Sequence, residues 1–162
     1  MSGGGRSCTL GFMSSAEAAK NAETDELNSI SRQIIGGAIA LHWEWGPGLL
    51  ESAHEARLTC ELLQKGPAVE RQVPLPVVCK GTRIECGCRM DLLIARKVIG
   101  EWKALEATDR IHRMRVPSYL RLAGLRLGLL INFNRETLIG GVTRIVNRPW
   151  LSDTPRYSRP TR

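Results

Sequence analysis

No apolar run in this chain approaches the roughly 18 residues that a membrane-spanning helix needs. With an apolar share of 43%, a soluble protein with no membrane partner is expected. A secretory signal is missing from the N-terminus, and the five cysteines, an odd number, are expected as reduced thiols in a cytoplasm. Paired Cys-x-x-Cys clusters are also missing. The nearest spacing, Cys86-Gly87-Cys88 with Cys79 close by, reads as small buried hydrophobes rather than a zinc site. His42, His54 and His112 have no metal-ligand spacing; His42 reads as helix packing and the other two as helix-surface residues. There is no Ser-His-Asp order, no Gly-x-Ser-x-Gly elbow, no phosphate-cradling glycine loop and no internal repeat, which removes the commonest routes to nucleophilic hydrolysis and nucleotide binding.

What is present is one domain's worth of chain, 162 residues, with a basic surplus of +7. Residues 25–147 carry 17 Lys and Arg against 13 Asp and Glu. Residues 148–162 add Arg148, Arg156, Arg159 and Arg162 against Asp153. The expected organisation is a flexible N-terminal tail over residues 1–24, a folded domain over 25–147 and a basic flexible tail over 148–162. Such a charge distribution suits a polyanion such as nucleic acid, and equally suits a solvated surface with an arginine tail.

Helical spacing of Ile30, Ile34, Ile35, Ala38, Ile39, Leu41 and Trp45 predicts a helix over about 27–45, with a frayed helix around 15–23 ahead of it. Gly46-Pro47-Gly48 stops it, and a second helix is expected from about Leu49 to Lys65, before Gly66-Pro67. Residues 69–78, with Pro74 and Pro76, read as an edge strand, since proline cannot donate to a ladder. Lys80-Gly81 turns the chain into a strand over 83–93, and a third follows over 98–104, completing a meander. A helix capped by Thr108 or Asp109 is expected next, kinked or split by Pro117. Leu127 to Phe133 reads as a central strand buried on both faces, and Val142 to Val146 as a last strand.

In the third strand, Glu101 and Lys103 share one face, about 6.6 Å apart, while Trp102 packs on the other. If Ala95-Arg96-Lys97 forms a three-residue hairpin loop, antiparallel partners have numbers summing to 192 and Asp91 faces Glu101, with β-carbons about 5 Å apart. Two carboxylates that close need a cation or a proton between them. A two-residue turn would shift the register and separate them. Taken alone, the trio also reads as a strand ion pair of small energy, and Glu51, in the first turn of the second helix, reads as a surface acid at the positive end of the helix dipole.

Gly46-Pro47-Gly48-Leu49-Leu50-Glu51-Ser52, Glu70-Arg71-Gln72-Val73-Pro74-Leu75-Pro76-Val77, Cys86-Gly87-x-Arg89-x-Asp91-Leu92-Leu93, Glu101-x-Lys103, Ser118-Tyr119-Leu120-Arg121-Leu122 and Gly128 to Phe133 occur in that order. Together they resemble the bacterial GxxExxxIY proteins of the PD-(D/E)xK nuclease superfamily, over roughly residues 27–147. The resemblance implies an α/β (α+β) restriction-endonuclease-like core, a mixed β-sheet flanked by helices in the order α-α-β-β-β-α-β-β. It also implies that Asp91, Glu101, the Trp102 carbonyl and Glu51 hold Mg²⁺ or Mn²⁺, that Lys103 is the catalytic lysine, and that Arg115 and Tyr119 lie against substrate. The chain departs from the family's pattern in having Met90 for the usual proline, Arg115 for a glutamine, His54 for a tyrosine, and Pro117 within a helix.

The activity so implied is metal-dependent hydrolysis of phosphodiester bonds in nucleic acid, with DNA favoured over RNA. A catalytically impaired nucleic-acid or protein interaction module on the same fold, using Arg110, Arg113, Arg115 and the C-terminal arginines, is the alternative. The core has almost no insertions, which leaves specificity to a partner: a second copy of the chain or another protein.

Overall fold

A computed structural model of the chain describes residues 14–85, 87–105 and 110–147. The expected N-terminal tail as far as residue 13, the Thr108 or Asp109 cap and the arginine tail from 148 lie outside the described residues.

Helix α1 (Ser15–Trp45) is longer than its apolar stripe predicts. Ser14 starts it with a reciprocal cap: its Oγ accepts from the Glu17 amide at 3.2 Å, and Glu17 Oε2 accepts from the Ser14 amide at 2.9 Å. The first three turns are exposed, and burial begins at Leu27 and continues through Ile30, Ile34, Ala38 and Leu41. At the other end Gly46, at φ +69°, donates to the His42 carbonyl at 2.8 Å and closes the helix. Helix α2 (Glu51–Gln64) follows at once and buries Leu58 and Leu62.

The strands are β1 (Val69–Pro74), β2 (Val77–Cys79), β3 (Thr82–Ile84), β4 (Arg89–Ile94) and β5 (Val98–Lys103). After helix α3 (Arg110–Ala123) come β6 (Leu127–Asn132), a 3-10 turn over Leu138–Gly141, and β7 (Val142–Val146). The main sheet runs β1-β4-β5-β6-β7, antiparallel throughout except for the parallel pair β5 and β6 that α3 connects. This is the mixed sheet flanked by helices, α+β and consistent with a restriction-endonuclease-like fold, and all six residues of both β5 and β6 are buried.

Two strands expected as continuous are each broken. The chain leaves the β1–β4 ladder at Pro74 and rejoins it at Arg89, and between them β2 and β3 form a separate hairpin around Lys80-Gly81. Pro74 and Pro76 lack the N–H groups that a longer ladder would use, and the Leu75 amide donates to the Cys88 carbonyl at 2.9 Å, closing the neck of the excursion. Pro117, expected to kink or split its helix, sits inside a single α3. Val116 and Leu120, on either side of it, are fully buried against the sheet, so packing holds both halves on the sheet and the helix is not split.

The sheet separates two apolar cores. On one face Leu92, Ile94, Val98, Trp102, Leu127, Leu129 and Ile131 meet α1 and α2; on the other Met90, Ile99 and Leu130 meet Val116 and Leu120 of α3. Within the central strand, Gly100 makes room for its neighbour: a β-carbon there would stand 2.6 Å from the Trp102 ring and 3.4 Å from Ile94 Cδ1. We expect Gly100→Ala to destabilise the fold by about 1–3 kcal/mol, the cost of overpacking a tight core. Urea denaturation measures it, and a midpoint equal to wild type would mean that the indole has room to yield.

Candidate active site

The pairs Leu92 with Gly100, Leu93 with Ile99 and Ile94 with Val98 place β4 and β5 in the register expected of a three-residue loop. Ala95 and Arg96 make that loop at φ +51° and +55°. Past Gly100 the ladder gives way to a side chain, as Asp91 Oδ2 accepts from the Trp102 amide at 3.1 Å. Position 91 also lies opposite Gln72 in the β1 register, and Gln72 leaves the ladder at φ +51° to donate to Glu55 Oε2 at 3.3 Å. Both neighbours of Asp91 therefore depart from regular pairing, which frees its carboxylate for the sheet's α3 face.

Glu101 and Lys103 follow Ile99 on that same face, while Trp102 points into the opposite core. Three carboxylates surround the Lys103 ammonium: Glu101 Oε1 at 3.2 Å, Glu51 Oε1 at 3.3 Å and Asp91 Oδ2 at 3.6 Å. The Trp102 carbonyl accepts from the same nitrogen at 2.5 Å. Glu51 reaches the cluster from the first turn of α2, across the end of β5, so it is more than an acid solvated at a helix dipole. All four oxygens expected to ligate a metal thus converge on one cation.

Arg115 adds a second cation, its Nη1 donating to Glu101 Oε1 at 3.1 Å. Tyr119, one turn further along α3, packs in the smaller core beside Val116 and Leu120. Burial raises its phenol above the ordinary value of 10.0, with Arg115 pulling the other way. Glu101 is 1% exposed, and burial followed by repulsion from Asp91 lifts its pKa above 4.5 despite Lys103 and Arg115. Burial would lower the Lys103 value, but Glu101, Asp91 and Glu51 outweigh it and the ammonium is held above 10.5.

Several supporting residues carried little signal of their own in the sequence. Asn132, paired with Lys103 in the parallel register, accepts from the Leu105 amide at 3.1 Å and donates to its carbonyl at 2.8 Å, pinning the strand's exit. Glu55 is 6% exposed and binds Arg71 at 2.9 Å, tying α2 to β1; its position one turn after Glu51 was the available clue. His54, expected on a helix surface, is fully buried and stacks on Phe133 with ring centroids 4.3 Å apart. Burial lowers its pKa below 6.5, so a neutral ring fills the place behind Glu51. His112, also expected at the surface, is half-buried.

The donor set is entirely oxygen, as hard divalent cations require. Glu101 Oε2 is buried without a hydrogen-bond partner, an acceptor still open to a cation. With the ammonium at the centre, the acids stand farther apart than around an ion of about 2.1 Å ligand distance. Among the described residues no three His, Cys, Asp or Glu side chains are closed up enough to hold a metal as they stand. A cation placed among these oxygens would compete with the Lys103 ammonium for the position it occupies.

Removing that ammonium strands three acids. Lys103→Met should lower stability at pH 7 by about 3–5 kcal/mol, the range for breaking a buried pair. Because the folded Glu101 value is raised, stability from its protonation is fully present below the unfolded value of 4.5 and is lost as pH rises through the folded value. The Lys103→Met deficit should therefore shrink between pH 7 and pH 5; urea denaturation at both values giving the same deficit would contradict this account.

A family model described as the PD-(D/E)XK nuclease superfamily matches residues 28–145. No curated protein and no solved structure compared with the chain matches it. The matched segment runs from within α1 into β7, well over half of the chain, and takes in every residue of the cluster; the chain belongs to the PD-(D/E)XK nuclease superfamily.

Proposed function

We propose that the protein is a metal-dependent nuclease of the GxxExxxIY type, hydrolysing phosphodiester bonds of DNA in a bacterial cytoplasm. One observation carries the reading: Glu51, Asp91, Glu101 and the Trp102 carbonyl direct an oxygen each at one buried cationic position. Superfamily membership implies a nucleic-acid substrate and, in general, a divalent metal.

Asp91, Glu101, the Trp102 carbonyl and Glu51 would hold Mg²⁺ or Mn²⁺. Such an ion supplies charge neutralisation at the phosphoryl oxygens and a more acidic bound water. Lys103, released from the oxygen ring, orients the attacking water and stabilises negative charge developing on the phosphorus substituents. Arg115 contributes a planar donor fork suited to phosphate, and Tyr119 lies on the same helix one turn away. A cleft of about 370 Å³, lined by Gly48, Leu49, Leu50, Glu51, Ala104 and Asn134, opens beside Glu51.

A second reading, a non-catalytic binding module, draws on the two cations already neutralising Glu101. The readings separate in a digestion assay on single- and double-stranded DNA and RNA. The nuclease reading expects Mg²⁺-dependent cleavage that Asp91→Ala, Glu101→Ala and Lys103→Ala each reduce by at least about a hundredfold, with circular dichroism confirming folded protein. Cleavage that survives all three substitutions would rule out this site; salt-sensitive binding with no cleavage would favour the module.

A further inference from the structure

We propose that Arg115 couples metal loading to nucleic-acid binding: it holds Glu101 until a backbone phosphate draws it away, so that substrate and divalent cation bind cooperatively. The inference rests on the metal-site reading above.

Two cations share Glu101 Oε1, but they differ in freedom. The Lys103 side chain is 8% exposed and gripped by four oxygens, whereas the Arg115 side chain is 42% exposed and reaches Glu101 from the rim. Arg115 is the one of the two that can swing out into solvent from the rim, independently of the shift of Lys103 within the oxygen ring that metal binding also needs. A guanidinium 3.1 Å from Glu101 also repels a second, doubly charged ion on the same carboxylate, and does so strongly because that carboxylate is almost out of contact with water.

What would draw Arg115 away is also present on α3. The helix carries Arg110, Arg113, Arg115 and Arg121 and no acid at all, and Arg110 and Arg113 are exposed. A polyanion approaching this helix is attracted by four arginines and opposed by no acid, and Arg115 is the one of them bound to Glu101. A phosphate engaging the Arg115 fork competes with Glu101 for the same donors. Once the guanidinium turns outward, Glu101 Oε1 loses one of the two cations that share it and opens to a metal ion, and by linkage the ion strengthens phosphate binding by an equal factor.

Calorimetric titration of Mn²⁺ into the full chain tests the coupling, with Asp91→Asn protein as the blank. Arg115→Gln should bind Mn²⁺ roughly tenfold more tightly than wild type, a difference of about 1.4 kcal/mol, while Arg115→Lys, which keeps the charge, stays near wild type. A short phosphorothioate oligodeoxynucleotide should raise the wild-type affinity by a clearly larger factor than that of Arg115→Gln, where only the direct attraction between phosphate and ion remains. The same oligonucleotide with uncharged methylphosphonate linkages should raise neither. Equal or weaker Mn²⁺ binding by Arg115→Gln would overturn the coupling and leave the metal site standing. Absence of binding above the blank in both proteins would instead overturn the metal-site reading, and the coupling with it.

Discussion

Burying Glu101 at the end of a central strand, with Asp91 and Glu51 close by, is tolerable because the Lys103 ammonium lies among them and Arg115 reaches Glu101 from the rim. Three carboxylates within reach of a common point repel, and desolvation strengthens the repulsion. Lys103 lies within 3.6 Å of an oxygen from each of them. The rest of the fold can be understood as the support that holds these groups against their mutual repulsion.

That support comes from both faces of the sheet. Trp102, alternating with the two charged residues, anchors β5 in the larger core, and Gly100 gives its ring space. On the opposite face, Val116 and Leu120 seat α3 so that Arg115 reaches Glu101. From above the strand end, α2 brings Glu51 in its first turn, with its orientation set by Glu55 on Arg71 and by the stacked His54 and Phe133. Each acid of the cluster belongs to a different element, so tertiary packing rather than any local motif sets their separations.

Much of the fold was legible because its signals were local and repeated. The apolar stripe of α1, the glycine and proline stops around α2, the doubly buried run of β6 and the three-residue loop after Ile94 each specify backbone geometry over a few residues. The loop mattered most, since the strand period of two makes a register error flip every side chain to the wrong face. The early start of α1 rests on a cap at Ser14 rather than on periodicity, and the detached hairpin β2–β3 rests on where two prolines end a ladder. Among the described residues no helix is long and apolar enough to cross a membrane, as the lack of long apolar runs requires.

By itself the sequence determined the succession of elements apart from the β2–β3 hairpin, and the sharing of one strand face by Glu101 and Lys103, because hydrophobic period is a property of neighbouring residues; it made the β4–β5 register depend on a three-residue loop, which the structure supplies. Only the tertiary structure decided that Glu51 crosses the strand end, that the Lys103 ammonium sits among the acids, that Arg115 closes on Glu101 and that His54 is buried. Those contacts join residues tens of positions apart, and their distances follow from how helices seat on the two faces of a twisted sheet, which no local pattern encodes.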